Sequence, residues 1–142
     1  MPYPELECCT LCEHRCGVNR LAGETGVCRT NLPVVASATL HPAPPSSYTV
    51  FLAGCNFKCL NCQNWSISRS RDVDSIADNA MPAEIARVAR QLECESVAFT
   101  YNDPVIWAEY AMETAVACRR VGVRSVAVTN GYITGEARAE FC

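Results

Sequence analysis

The stretch GCNFKCLNCQNW, Gly54 to Trp65, places Cys55, Cys59 and Cys62 in a C-x3-C-x2-C spacing. Thiolates are the ligands of iron–sulfur clusters, and a cubane of four irons normally takes four of them. A short loop that offers three leaves one iron without a protein ligand. An open coordination position separates a catalytic metal site from a closed structural one. The absent fourth thiol therefore leaves room for a substrate or cofactor. Two blander readings compete. Free cysteines pack well as small hydrophobes, but a glycine-flanked loop is a poor place for core. A structural zinc site would need a distant fourth ligand, such as His41 or Cys94.

A second group lies upstream. CTLCEHRCGVNRLAGETGVC carries Cys9, Cys12, Cys16 and Cys28. Four thiolates at that spacing suit either a closed tetrahedral zinc site or a second iron–sulfur cluster. Gly23 and Gly26 would let the backbone turn back toward the metal. Cys8 could replace Cys9. His14 is either a further ligand or a solvated loop residue. Cys94, Cys118 and Cys142 stand singly, and Cys118 reads as helix core.

The elements that must position these groups follow from the pattern. Residues 1–45 are rich in Cys and Gly, lack sustained periodicity, and end in the proline-rich HPAPPSS. YTVFLAG is a short apolar run that reads as a buried strand, so the three-cysteine stretch is a loop at its C-terminal end. MPAEIARVARQLE reads as a helix opened by Pro82, with Ile85, Val88, Ala89 and Leu92 on one face and no good capping side chain before it. SVAFT is the next strand. DPVIWAEYAMETAVACRRVG is the clearest helix: Asp103 caps it, Pro104 opens it, Arg119 and Arg120 sit in its last turn, and Gly122 ends it. SVAVTN is a third strand, and TGEARAEF begins a helix.

Strands that alternate with helices and are apolar on both faces predict a parallel sheet with βαβ crossovers. In such folds chemistry sits at the C-terminal ends of the strands. The cysteine loop, YNDP and NGY all fall there. A third strand with an open edge predicts a fragment of a larger α/β barrel or sheet. The expected organisation is a Cys-rich metal-binding segment, 1–45, followed by an α/β barrel portion, 46–142, truncated after its third βα unit.

Composition narrows the class. Eleven cysteines among 142 residues, an odd number with no leading signal-peptide pattern, favour metal over a disulfide framework. A net charge of -3, with eleven Arg and one Lys (Lys58) in no patch, argues against nucleic acid. No apolar run reaches the roughly 18 residues of a membrane span. The expected location is the cytoplasm.

The residues also resemble a known family. C-x3-C-x2-C after the first strand of an α/β unit is similar to the radical S-adenosylmethionine (SAM) enzymes. GCNFKCLNCQNWSIS, FTYNDPVIWAEY and VTNGY look like the radical SAM enzyme of the AmmeMemoRadiSam system and the nearby pyruvate formate-lyase-activating-like proteins, over residues 9–142. The resemblance implies the first half of a partial (βα)6 barrel behind a Cys-rich N-terminal segment. It implies a [4Fe-4S] cluster on Cys55, Cys59 and Cys62, with SAM chelating the fourth iron. Reductive cleavage of SAM would make a 5′-deoxyadenosyl radical that abstracts hydrogen from an unknown small-molecule or protein substrate. The electron would come from a carrier such as flavodoxin or ferredoxin.

Family members usually carry a Gly-Gly-Glu-type motif at the end of the second strand, facing the SAM amino group. Here the place reads Thr100-Tyr101-Asn102-Asp103, without glycines and with the shorter Asp. Asp103 is thus a SAM contact, a helix cap, or both. Asn130 is a contact to SAM's carboxylate or ribose, or a turn residue. Asn61 stands where many relatives have an aromatic, which leaves adenine to backbone contacts with Phe57 as an apolar neighbour; Trp65 reads as packing. A similar N-terminal cysteine motif in the family implies metal on Cys9, Cys12, Cys16 and Cys28. The alternatives are a glycyl-radical enzyme activase and a non-enzymatic zinc or iron–sulfur interaction module.

Overall fold

The computed structural model describes residues 4–69 and 80–142. A four-stranded sheet has the order β1-β2-β3-β4, with β1 Val35–His41, β2 Ser47–Leu52, β3 Ser96–Thr100 and β4 Arg124–Ala127. β2, β3 and β4 are parallel, and Val50 pairs with Phe99 while Phe99 pairs with Ala127. The helices are α1 Trp65–Arg69, α2 Pro82–Gln91, α3 Ala108–Arg120 and α4 Gly135–Phe141. The α/β class and the parallel βα units are as expected from the pattern.

Two features differ from the sequence reading. β1 runs antiparallel to β2, His41 opposite Ser47. It carries a single buried residue, Val35, so its apolar signal is weak. The sheet therefore begins inside the segment that ends at residue 45. The clearest helix is also split: Pro104–Trp107 form a 3-10 turn before α3.

The core explains why these elements hold. Val50, Leu52, Val97 and Phe99 alternate onto one face of the sheet and are buried there. Ile85, Ala86 and Ala89 of α2, with Trp107, Tyr110, Ala111 and Cys118 of the second crossover, complete the same cluster. α2 starts at Pro82 with no side-chain cap, and α4 starts after Thr134, whose hydroxyl accepts from the Ala137 amide. β4 is exposed along its whole length and forms the far edge of the sheet. No helix among the described residues is long and apolar enough to cross a membrane.

Candidate metal and cofactor site

Parallel strands send every βα loop to one edge of the sheet, and hydrogen bonds there join the three loops singled out by sequence. The Asn102 side-chain amide donates to the Leu52 carbonyl, tying the end of β3 to the end of β2. The Asn64 amide donates to the Tyr101 carbonyl at 3.1 Å, tying the cysteine loop to the same place. The Asp103 carboxylate accepts from the Thr129 hydroxyl at 3.0 Å and the Asn130 amide at 2.9 Å, tying β3 to the loop after β4. It also accepts from the Val105 amide at 2.9 Å, as the cap of the 3-10 turn.

The cysteine loop itself runs from Gly54 to the start of α1. Cys55 and Cys62 are half-buried and Cys59 is exposed. The Phe57 amide lies 3.5 Å from Cys55 Sγ, and the Ser68 hydroxyl 3.5 Å from Cys62 Sγ. Arg69 closes the loop from behind by donating to the Phe57 carbonyl. The set fits an iron–sulfur ligand loop in its donors and its edge position. Among the described residues no three His, Cys, Asp or Glu side chains close to the geometry of one metal ion.

The other proposed contacts sort by their partners. Asn102 is buried, and its Oδ1 has no partner; that oxygen is an acceptor held in place by the bond from its own amide to Leu52. Asn130 Oδ1 accepts from the Tyr132 amide at 2.8 Å, so the side chain builds the turn. Phe57 meets the Tyr132 ring edge-on at 5.4 Å. Thr100 pairs with Phe51 inside the sheet, and Asn61 is exposed. His41 and Cys94 lie at the opposite edge of the sheet, at the far end of β1 and just before β3, so neither completes a zinc site with the loop. Trp65, read as packing, is 61% exposed.

The N-terminal cysteines do come together around one cavity, which Cys9, Cys12, Cys16 and Cys28 line with His14 and Arg20. They do not close to single-ion geometry, so the tight tetrahedron expected of zinc is not formed. Burial pushes the Cys12 and Cys28 thiols up, and for Cys28 the hydrogen bond to the Thr30 backbone and then the Arg20 guanidinium offset only part of it. The segment is clamped to the loop. His14 Nε2 lies 2.8 Å from the Asn56 carbonyl oxygen, and its ring meets Tyr132 edge-on at 5.2 Å. Sequence reasoning left His14 between ligand and solvated loop; its partners Asn56 and Tyr132 are too far along the chain to be visible locally. Asn56, Asn64, Arg20 and Trp107 were missed for the same reason.

Asp103 gives a test of the edge. Asp103→Ala removes a cap and strands the Asn130 amide and Thr129 hydroxyl, and we expect a loss of about 2–3 kcal/mol in denaturant unfolding. Asp103→Asn should lose less, because one carbonyl oxygen survives. An unchanged unfolding midpoint in the alanine variant would mean that this staple does not hold the loops.

A family model described as the Radical SAM superfamily matches residues 49–141. Two proteins of Methanocaldococcus jannaschii are similar. "Uncharacterized protein MJ0808" is 35% identical over 122 residues, covering 84% of this chain and 37% of that protein. "Uncharacterized protein MJ0674" is 36% identical over 105 residues, covering 68% of this chain and 31% of that protein. The chain thus spans about a third of the length of the curated relatives it matches. No solved structure matches.

Proposed function

Because the chain belongs to the radical SAM superfamily, we propose that Cys55, Cys59 and Cys62 are its cluster ligands and that the strand-end groups beside them receive SAM. Superfamily members generally carry a [4Fe-4S] cluster and SAM, use an external one-electron reductant, and are enzymes. The observation that carries the residue assignment is the three-thiol loop at the C-terminal edge of three parallel strands, stitched to the β3 and β4 loops by Asn64, Asn102 and Asp103. The bound cofactors supply one electron and a reactive carbon radical; the protein's part is binding, orientation and exclusion of water.

Each residue then has a task. Cys55, Cys59 and Cys62 would hold three irons and leave the fourth for SAM. The unpaired Asn102 Oδ1 is the best-placed acceptor for the SAM amino group, because an ammonium seeks a fixed oxygen. Asp103, with both oxygens engaged, positions that edge rather than leading the contact. Phe57 and Tyr132 form an aromatic wall beside the loop. The finer reading is the AmmeMemoRadiSam type, carried by the loop, the YNDP segment and VTNGY together. The substrate is a small molecule or a protein, and the Cys-rich segment before β1 serves a barrel portion whose sheet begins at Val35.

Anaerobic reconstitution tests this. About four irons and four sulfides should depend on Cys55, Cys59 and Cys62, and SAM should change the electron paramagnetic resonance spectrum of the reduced chain. A Cys55/Cys59/Cys62→Ala variant that keeps its full iron would overturn the assignment. Asn102→Ala should weaken the SAM-induced spectral change while sparing the iron content.

A further inference from the structure

A cavity of about 390 Å³ lies between the N-terminal segment, the start of β1 and the first turns of α2 and α3. That is within the roughly 300–1,000 Å³ of sites that take small molecules. Its lining shares no residue with the cysteine loop. Most of the wall is apolar. Val35 is buried, while Leu21, Leu32 and Met81 are exposed. Single exposed apolar side chains are ordinary, but three brought to one rim from three separate stretches form a patch that calls for cover. Three charged side chains set the polarity. Arg20 and Glu109 are 1% and 2% exposed, and each keeps one buried polar atom without a partner, a terminal nitrogen of Arg20 and Oε1 of Glu109. Both residues line the cavity. They stand close enough for the guanidinium to pull the carboxyl pKa down, yet they form no ion pair. Arg20 is held where it is, because its Nε donates to the Asn31 carbonyl at 3.1 Å and its Cζ lies 4.6 Å from the centre of the Trp107 ring. Glu113, one turn along α3 from Glu109, is half-buried in the same wall and also forms no ion pair.

We infer that this cavity binds an apolar α-amino acid as its zwitterion, with the carboxylate on Arg20, the ammonium on Glu109 and Glu113, and the side chain against Leu21, Leu32, Val35 and Met81. The charges select the head group. A buried donor and a buried acceptor that border one space without meeting are each costly, and a small group with an acceptor at one end and a cationic donor at the other satisfies both. An anion alone would meet two carboxylates, a cation alone would leave Arg20 unpaired, and a neutral apolar molecule would satisfy neither. The start of α2 at Met81 and Pro82 also opens on the cavity and has no side-chain cap, so the positive end of that helix favours the carboxylate too. Burial pushes Glu109 up to about 7; an ammonium beside it would hold it ionised. A buried carboxyl that costs the fold stability is the kind of residue kept for binding rather than for packing. The site stands on its own residues and does not depend on a cluster at the cysteine loop.

Calorimetric titration of the full chain at pH 8 with L-leucine and with L-phenylalanine tests this. Saturable binding of one amino acid per chain is expected for at least one of them. Two analogues of leucine dissect the head group without touching the protein: 3-methylbutylamine lacks the carboxylate, and 4-methylpentanoate lacks the amine. Each should bind about ten-fold or more weakly than leucine, the loss expected for one charge-assisted hydrogen bond. Glu109→Gln keeps the shape of the side chain. It should lower leucine affinity by a similar factor and leave 4-methylpentanoate binding unchanged, because that molecule has no ammonium to lose. A merely structural role for Glu109 would weaken both ligands alike and overturn its part in the site. Equal binding of leucine and its two analogues would show capture of an apolar chain only, and would overturn the zwitterion. No binding of either amino acid would overturn the site. None of these readouts needs iron or SAM, so they succeed or fail apart from the loop assignment.

Discussion

Gly54→Val is expected to lower the stability of this protein by about 3–5 kcal/mol and to strip the cysteine loop of the iron proposed for it. Gly54 ends β2 and begins the cysteine loop, with φ +82. A side chain in that conformation costs roughly 1–2 kcal/mol from backbone strain alone. Space is the larger problem. A Cβ would stand 2.7 Å from Thr30 Cγ2 and 2.8 Å from the Cys28 carbonyl oxygen. The carbonyl belongs to the backbone, so the N-terminal segment must move away as a whole. That would draw His14 off Asn56 and open the wall between the two thiol groups. Gly122 provides the control. It has φ +75 with nothing within 4 Å of a built Cβ, so Gly122→Val should show the strain without the clash. Denaturant unfolding followed by circular dichroism, with iron counted after reconstitution, separates the two. Equal losses in both variants would mean that the close approach of Cys28 to the loop is not a feature of the folded protein.

The same contact shows what a one-dimensional reading reaches. The cysteine loop was legible because three thiols within eight residues have few uses, and the parallel strands because Tyr48–Leu52 and Ser96–Thr100 are short apolar runs set between helical patterns. β1 was not legible. Val35–His41 buries one residue, and what keeps it in the sheet is its pairing with β2, a partnership made across a proline-rich turn that reads as a boundary. Asp103 shows the second limit. Locally it is a helix cap in front of proline, and that is correct. Its other partners, Thr129 and Asn130, lie 26 and 27 residues away, and only the β3–β4 crossover brings them to it. Arg20 shows a third. In sequence it is one of many scattered arginines; in the fold it is buried on Trp107 beside four thiols. Spacing identifies ligands, whereas the groups that tune and clamp them are chosen by topology.

Glu109 leads to the other large effect, and it is a gain. The residue sits in the first turn of α3, 2% exposed, with Oε1 unpartnered. Burial pushes its carboxyl from an ordinary 4.5 up to about 7; the helix backbone and Arg20 pull it partly back, and Glu5 pushes it further up. A folded-state value above the unfolded one means that the folded chain holds a proton the unfolded chain has released. The stability that this group contributes is therefore fully present below about pH 4.5, falls as the pH rises toward 7, and is lost above it. A shift of this size corresponds to about 3 kcal/mol lost across that window. Glu109→Gln keeps the shape and removes the ionisation, so at pH 8 it should be more stable than the wild type by about 1–3 kcal/mol, the lower figure allowing for an imperfectly bonded amide. The two proteins should converge near pH 4.5. Urea unfolding of both at several values between pH 4.5 and 8 isolates the residue, because every other titrating group is common to the pair. A gap that stays constant across the series, or a variant less stable at pH 8, would show that Glu109 is ionised and stabilised in the folded chain, most directly by the terminal Arg20 nitrogen that has no other partner.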